Sequence, residues 1–499
     1  MIRDRKSIIL VTVDCLRADH CGFMGYDRPT TPYLDSIAGE SLVFRNAIVS
    51  GAPTYYSIPA ILASRYPLAL GRDVVGMGPN EPTLASVAKQ AGYATAAFTA
   101  ANPYISARFG YARGFDTFRD FMESETEPVQ AVDAETGPGL ASRLNRGLQR
   151  IRPAMGPLRM VYDELYFRYC QRATPVTTSL DGLRRFPSAD VIVEEACNWV
   201  AKNAGSPFFL WLHLMDPHSP YYPKEEALEL LGSGQVTPTE ARYRNSYWNR
   251  SDLGAGRLAN RRAQIVELYD AGIRWVDEQM ARLEKGLRRM DRWDDCILAL
   301  TADHGEEFLE HGGRYHPPVK LTEELIRVPL LMRLPRPSRK SAENAPFSLL
   351  HLAPTLLDAT QLPVPAEFQG RSYWGETAGA EAVPQIAITE CVAGCTNPLR
   401  IEDRMGHRIL SLREERFKLV VKFDLLSVEL YDLLSDPGEQ SPLGRDAQKP
   451  VWRRLLNAAY DHMCRTVEWR PWQERAEARL SELRLEWKTP TKHATPVAS

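Results

Sequence analysis

The sequence predicts an α/β protein: a large, mostly parallel sheet sandwiched by helices, with a smaller C-terminal α+β subdomain. Two observations carry this expectation. Short β-branched apolar runs alternate with segments of helical spacing over residues 1–385, as when strands are joined by crossover helices. After about Pro363 the texture changes to paired strand-like runs followed by helical ones, and the C-terminal subdomain is set at 386–499.

Lys6–Val13 is an apolar run that stops at an acidic residue, and Ser7–Val13 within it reads as a buried strand. Pro32–Gly39 reads as a short helix, Leu42–Ile48 as a strand, Thr83–Gly92 as a helix and Tyr93–Thr99 as a strand. The alternation resumes at Ser188–Asn203, a helix with Ser188 as N-cap candidate. Phe208–Leu214, Asp295–Leu300 and Ile326–Met332 follow as strands, with Leu258–Met290 a long amphipathic helix. Residues 123–187, rich in Glu, Arg and Pro, break the rhythm and read as a helical insert or lid; Glu225–Gly256 has the same character. In the C-terminal subdomain, Arg416–Phe423 and Val428–Leu433 are expected to pair antiparallel. Helices at Pro450–Cys464 and Trp472–Leu485 and a frayed tail from Lys488 complete it.

Lys and Arg total 61 against 63 Asp and Glu, a formal charge of −2, which argues against a dedicated nucleic-acid binder. The longest apolar runs, Ser7–Val13, Pro207–Met215 and Cys296–Ala302, fall far short of the roughly 20 residues a spanning helix needs. Arg3, Arg5 and Lys6 precede an apolar run as in a signal peptide, but Asp14, Arg17 and Asp19 follow at once. The eight cysteines are scattered, with no Cys-x-x-Cys pair; Cys391 and Cys395 make only a weak zinc candidate. We therefore expect a soluble, cytoplasmic protein without membrane or nucleic-acid partners. Homo-oligomerisation is left open.

Chemistry concentrates at strand ends. Asp14 and Asp303 stand at the carboxyl ends of two expected strands, and His304 follows directly. Ligands gather at such ends in open parallel sheets, and a carboxylate buried there is costly unless neutralised. A divalent cation, Mg, Mn, Ca or Zn, relieves that cost. Five of the ten histidines fall in two short segments: His213 and His218, and His304, His311 and His316. Neutral imidazole binds metals and imidazolium binds anions.

These residues resemble a family. ILVTVDCLRADH (Ile9–His20) and GFMGYDRPTTPYLDSIA (Gly22–Ala38) look like the N-terminal signature of the sulfatase family within the alkaline phosphatase superfamily. APTYYSIPAILASRYP (Ala52–Pro67) is similar to its nucleophile segment. HLMDPHSPY (His213–Tyr221), TADHGEEFLEHG (Thr301–Gly312), EELIRVPLLM (Glu323–Met332) and the Arg416–Glu439 hairpin follow in family order.

The resemblance implies metal ligands at Asp14, Asp303, His304 and Thr54, with Thr54 on the nucleophile position by counting back from Tyr66-Pro67. It implies that His218 meets the substrate's anionic group and that His316 stands near the leaving group, with Lys320 a weaker candidate for that place. His213, Asn102 and Lys320 form the substrate-binding set. One metal per site is expected; a second would draw on Asp216, His218 and His316.

The departures from the family pattern matter as much. Sulfatases use a formylglycine made from Cys or Ser, and a threonine cannot yield that aldehyde because its Cβ carries a methyl group. Cys15 replaces the second Asp of the acidic pair, and Ile58 replaces the modification-motif Arg. Pro59 is tolerable only in a first helical turn. Thr nucleophiles occur in relatives that act on phosphoryl-type groups, attacking phosphorus directly to give a phospho-threonine. Helix-start N–H groups beyond Thr54 would assist the anion, while the bland alternatives are Thr54 as a helix N-cap and Ser57 as nucleophile. The expectation is a metal-dependent hydrolase or transferase acting on a phosphodiester, phosphonate or phosphate ester of a small anionic molecule. The alternatives are a sulfuric ester hydrolase and a catalytically degenerate anion-binding member. Arg143, Arg146, Arg150 and Arg152 of the insert read as a solvated helix face or as substrate contacts.

Overall fold

The computed structural model describes residues 5–122, 158–173, 177, 179–335, 345–374, 386–423 and 427–465. Fourteen strands lie in this part: β1 Ser7–Val13, β2 Ser41–Ile48, β3 Ala94–Thr99, β4 Thr117–Arg119, β5 Phe208–Leu214, β6 Cys296–Ala302, β7 Glu307–Phe308, β8 Arg314–Tyr315, β9 Arg327–Arg333, β10 Phe347–Ser348, β11 Ala387–Val392, β12 Arg408–Arg413, β13 Phe417–Lys422 and β14 Ser427–Asp432.

Eight of them form one sheet in the order β10-β2-β9-β6-β1-β5-β3-β4. β1, β5 and β6, buried at every residue, are its parallel centre, as continuous apolar strands covered on both faces should be. β9 alone runs against its neighbours β2 and β6. Register decides what comes next. Val13 lies opposite Leu214 of β5 and Ala302 of β6, so Asp14, Met215 and Asp303 leave the same edge side by side.

The helices pack as their periodicity requires. Arg262–Arg289 buries Ile265, Leu268, Tyr269, Ile273, Val276, Met280, Leu283 and Leu287, a stripe at three- and four-residue spacing that joins the main core and packs against the helix Ala189–Asn203. Ser188 holds the cap position of Ala189–Asn203 but makes no side-chain cap bond. Asp216 accepts from Ala189 N instead, at 3.0 Å, and Ser188 Oγ accepts from Trp275 Nε1. Glu225–Gly256 contains the helices Glu225–Leu230 and Pro238–Trp248. Of the 123–187 insert, the helix Leu158–Ala173 is seen. Arg143, Arg146, Arg150 and Arg152 lie outside the described residues, as do Trp472–Leu485 and the tail. No helix among the described residues is long and apolar enough to cross a membrane.

The second sheet is an antiparallel meander, β11-β12-β13-β14. It has four strands where the sequence suggested two. β12 escapes a pattern search because it begins and ends with arginine yet is buried throughout; its charges are neutralised by ion pairs to Glu390 and Glu323. The helix Lys449–Cys464 closes a separate apolar core, in which Trp452, Leu455, Leu456 and Met463 meet Leu410, Leu412, Leu419 and Leu430.

Candidate metal-centred active site

Four expected residues converge beyond the ends of β1 and β6. Asp14 and Asp303 are both 0% exposed. His304 Nδ1 shares a 2.8 Å hydrogen bond with the Gly305 carbonyl, so Nδ1 carries the proton and Nε2 presents a lone pair. Around Nε2 lie Thr54 Oγ1 at 3.1 Å, Asp14 Oδ1 at 3.6 Å and Asp303 Oδ2 at 3.6 Å. The donor atoms of Asp14, Asp303 and His304 all fall within 4.8 Å of one another. Asp303 Oδ1 accepts from His304 N at 3.0 Å, whereas Oδ2, equally buried, has no hydrogen-bond partner among the described residues. An orphaned carboxylate oxygen facing a second carboxylate and an imidazole lone pair is what a divalent cation completes. The donor set fits one.

Thr54 opens the helix Thr54–Ala63, with Pro53 at the cap position, so the hydroxyl is not a helix cap. Pro59 is the sixth helical residue and not in the first turn, forgoing the bond its N–H would have made to the Tyr55 carbonyl. Ser57, the rival nucleophile, is wholly buried and its Oγ has no hydrogen-bond partner among the described residues. Thr54 is the hydroxyl that meets His304.

The two carboxyl groups titrate in opposite directions. Burial resists ionisation of Asp14, but the imidazoles of His218, His213 and His304 prevail and hold its pKa well below the carboxylate range. Asp303 is pushed up by burial and by Asp14 beside it. Burial, then the Glu306, Asp14 and Asp303 carboxylates, push the Cys15 thiol up.

A second tier surrounds this group. Asn102 donates from Nδ2 to Asp14 Oδ2 at 3.0 Å and accepts from Tyr104 N; it holds Asp14 in place. His213 is 0% exposed, bonded through Nδ1 to Thr12 Oγ1 at 2.8 Å, with Nε2 3.4 Å from Asp14 Oδ2. It therefore stands beside the Asp14 carboxylate, with Nε2 on the Asp14 side. His218 and His316 stand on the outer side with ring centroids 5.2 Å apart, and His316 lies 4.4 Å from the His304 ring. His316 Nδ1 is 3.3 Å from Glu306 Oε1, a buried carboxylate that motif reading passed over.

Two further expectations change. Lys320 is drawn away from the cluster: its ammonium donates to both oxygens of buried Glu307, at 2.8 and 2.9 Å, and to the His311 carbonyl. Asp216, offered for a second metal, has its carboxylate taken up by Arg184 at 2.7 Å and Ala189 N. Cys391 and Cys395 belong to no metal-competent group among the described residues. The Cys395 carbonyl accepts from Tyr55 OH instead.

Cys15 adopts φ 61°, a left-handed backbone unusual for a side chain of its type. Tyr269 fixes it, donating from its hydroxyl to Cys15 O at 2.7 Å and accepting from Arg17 N at 2.9 Å. Nothing in the sequence pairs a residue of the long helix with this turn. Tyr269→Phe leaves both buried backbone groups unsatisfied and is expected to destabilise the protein by roughly 2–3 kcal/mol. Chemical denaturation measures this, and a change below about 0.5 kcal/mol would remove Tyr269 from the supporting structure.

Known proteins are similar to this chain over most of its length. The sulfatase family model matches residues 6–362, and that of the N-sulphoglucosamine sulphohydrolase C-terminal region matches 314–458. Arylsulfatase K of Canis lupus familiaris is 24% identical over 279 residues, 49% of this chain and 50% of that protein. The chain thus spans about half the length of that relative. The multifunctional alkaline phosphatase superfamily protein PehA of Trinickia caryophylli is 22% identical over 513 residues, covering 93% of this chain and 95% of PehA. Among solved structures, one in complex with its substrate D-glucosamine-2-N,6-O-disulfate superposes with a TM-score of 0.66, 18% identity and coverage of 92% and 98%. The phosphonate monoester hydrolase of Agrobacterium radiobacter superposes with a TM-score of 0.61, 18% identity and coverage of 92% and 95%.

Proposed function

Since the chain belongs to the sulfatase family, we propose that it is a metal-dependent hydrolase or transferase of phosphorus esters, a phosphodiester, phosphonate or phosphate ester, with Thr54 as nucleophile. The observation that carries this is the Thr54 hydroxyl, 3.1 Å from His304 Nε2 within the Asp14–Asp303–His304 group. A divalent cation held by Asp14, Asp303, His304 and Thr54 would supply the positive charge that makes the hydroxyl acidic and balances the transferred group.

The rest is the work of the chain's own residues. Thr54 gives up its hydroxyl proton to solvent, and Oγ1 forms a bond to phosphorus as the ester P–O bond breaks, leaving a phospho-threonine. His218 and His316, on the outer side, neutralise the anion, and one of them gives a proton to the departing oxygen. Water or an alcohol then displaces Thr54. The methyl on the threonine Cβ bars the aldehyde chemistry of sulfate-ester relatives, which favours phosphorus over sulfur. We place the protein in the cytoplasm.

The test is a panel of aryl phosphodiester, aryl phosphonate monoester, aryl phosphate and aryl sulfate, each with Mn, Mg, Ca and Zn. A phosphorus ester is expected to exceed the sulfate in kcat/KM by at least about tenfold, or about 1.4 kcal/mol in barrier. Turnover of the aryl sulfate alone makes it a sulfuric ester hydrolase; no turnover with any ion makes it a degenerate anion binder.

A further inference from the structure

We infer that Cys15 is itself a metal ligand, and that it turns the centre from one for Mg or Ca into one for a thiophilic ion such as Zn or Co. The inference rests on the cation of the proposed function but not on the chemistry of Thr54.

Cys15 is wholly buried and follows Asp14 in the turn that Tyr269 pins. Its Sγ lies 3.1 Å from Asp14 Oδ1, and Asp14 Oδ1 lies 3.6 Å from His304 Nε2. On the other side, Sγ is 3.4 Å from His316 Nδ1. Two sets of donor atoms, each within 4.8 Å of one another, contain this sulfur: Cys15 with His304 and His316, and Cys15 with Asp14 and His218. The sulfur therefore adjoins Asp14 of the carboxylate group and the outer imidazole pair at once, though no such set among the described residues joins it to Asp303. Asp303 Oδ2, fully buried and without a hydrogen-bond partner among the described residues, is the independent sign that a cation belongs here.

Chemistry then selects the ion. Oxygen-only sites suit Mg, Ca and Mn, whereas thiolate beside imidazole suits Zn and its neighbours. On binding, the Cys15 S–H bond breaks, its electron pair forms the sulfur–metal bond, and the proton leaves to solvent; nothing is oxidised or reduced.

The full-length protein, stripped with chelator and titrated with Co2+, is expected to show a thiolate-to-cobalt charge-transfer absorption. Cys15→Ser should lose it while keeping the visible cobalt bands, with zinc affinity falling at least about tenfold. Cys15→Asp should reverse the ranking toward Mg, Ca and Mn. Wild-type protein that binds cobalt without that absorption, or a Cys15→Ser spectrum identical to wild type, overturns the inference, as does failure of the wild type to bind cobalt. Should the variants not fold, X-ray absorption on the zinc-loaded wild type decides. One sulfur at about 2.3 Å supports Cys15, and an all-nitrogen-and-oxygen shell overturns it. Failure of phosphorus-ester turnover would leave these spectra unchanged, so the two readings fail separately.

Discussion

Thr54→Ala is expected to lower turnover of the best ester substrate by at least about a thousandfold, with divalent-cation binding largely retained. The hydroxyl is the nucleophile candidate that reaches His304 Nε2, and the side chain is 5% exposed. Removing it deletes the attacking atom but leaves Asp14, Asp303 and His304, which define the cation group without it. The fold should tolerate the change, because Thr54 makes no capping bond. Thr54→Ser restores the oxygen without the methyl and should recover most of the rate. Steady-state kinetics with a search for a phosphorylated Thr54 in quenched reactions checks this. Wild-type turnover in the alanine variant would exclude Thr54 as nucleophile. A large loss of cation affinity with little loss of kcat at saturating metal would recast it as a ligand only.

The centre of this site was legible because buried parallel strands announce themselves twice. β1 and β6 read as apolar runs, and each ends in a carboxylate that its burial makes expensive. Register carries the rest: once β1 and β6 pair in parallel, Asp14 and Asp303 must meet. What spacing could not settle was direction. Glu306 and Glu307 are adjacent, so their side chains leave opposite sides of an extended chain. Glu306 turns to His316, and Glu307 takes Lys320 away from the cluster. Contacts made from afar, Tyr269 to Cys15 and Asn102 to Asp14, have no sequence signature because they join elements 254 and 88 residues apart. β11 and β12 were missed for another reason. Their charged residues are buried against partners that only the fold supplies.

One of those buried charges ties down the chain just beyond the helix that Thr54 opens, and Glu390→Ala is expected to destabilise the protein by about 3–5 kcal/mol while lowering kcat more than it raises KM. Glu390 in β11 is 0% exposed. Its Oε2 accepts from Arg408 Nε at 3.1 Å and lies 3.0 Å from His462 Nε2, tying β12 and the helix Lys449–Cys464 together. Its Oε1 accepts from Leu68 N at 2.8 Å, just beyond the helix Thr54–Ala63, and its own N donates to Ser50 O at 3.0 Å, just before it. Truncation therefore leaves Arg408 buried without its carboxylate and frees Leu68 N beyond the helix, while the backbone bond to Ser50 before it stays. Burial alone would raise the Glu390 pKa, but Arg408 and His462 reverse this and bring it from 4.5 to about 2. A lowered folded-state pKa contributes stability that is complete above about pH 4.5 and disappears as the pH falls through about 2, worth about 3 kcal/mol in all. Urea unfolding across that window should show an acid-labile increment in the wild type and a flatter profile in Glu390→Ala. Replacing Glu390, Arg408 and His462 together with apolar residues should recover part of the lost stability but not the lost kcat. The charges then matter less than the hydrogen bond that Leu68 N loses.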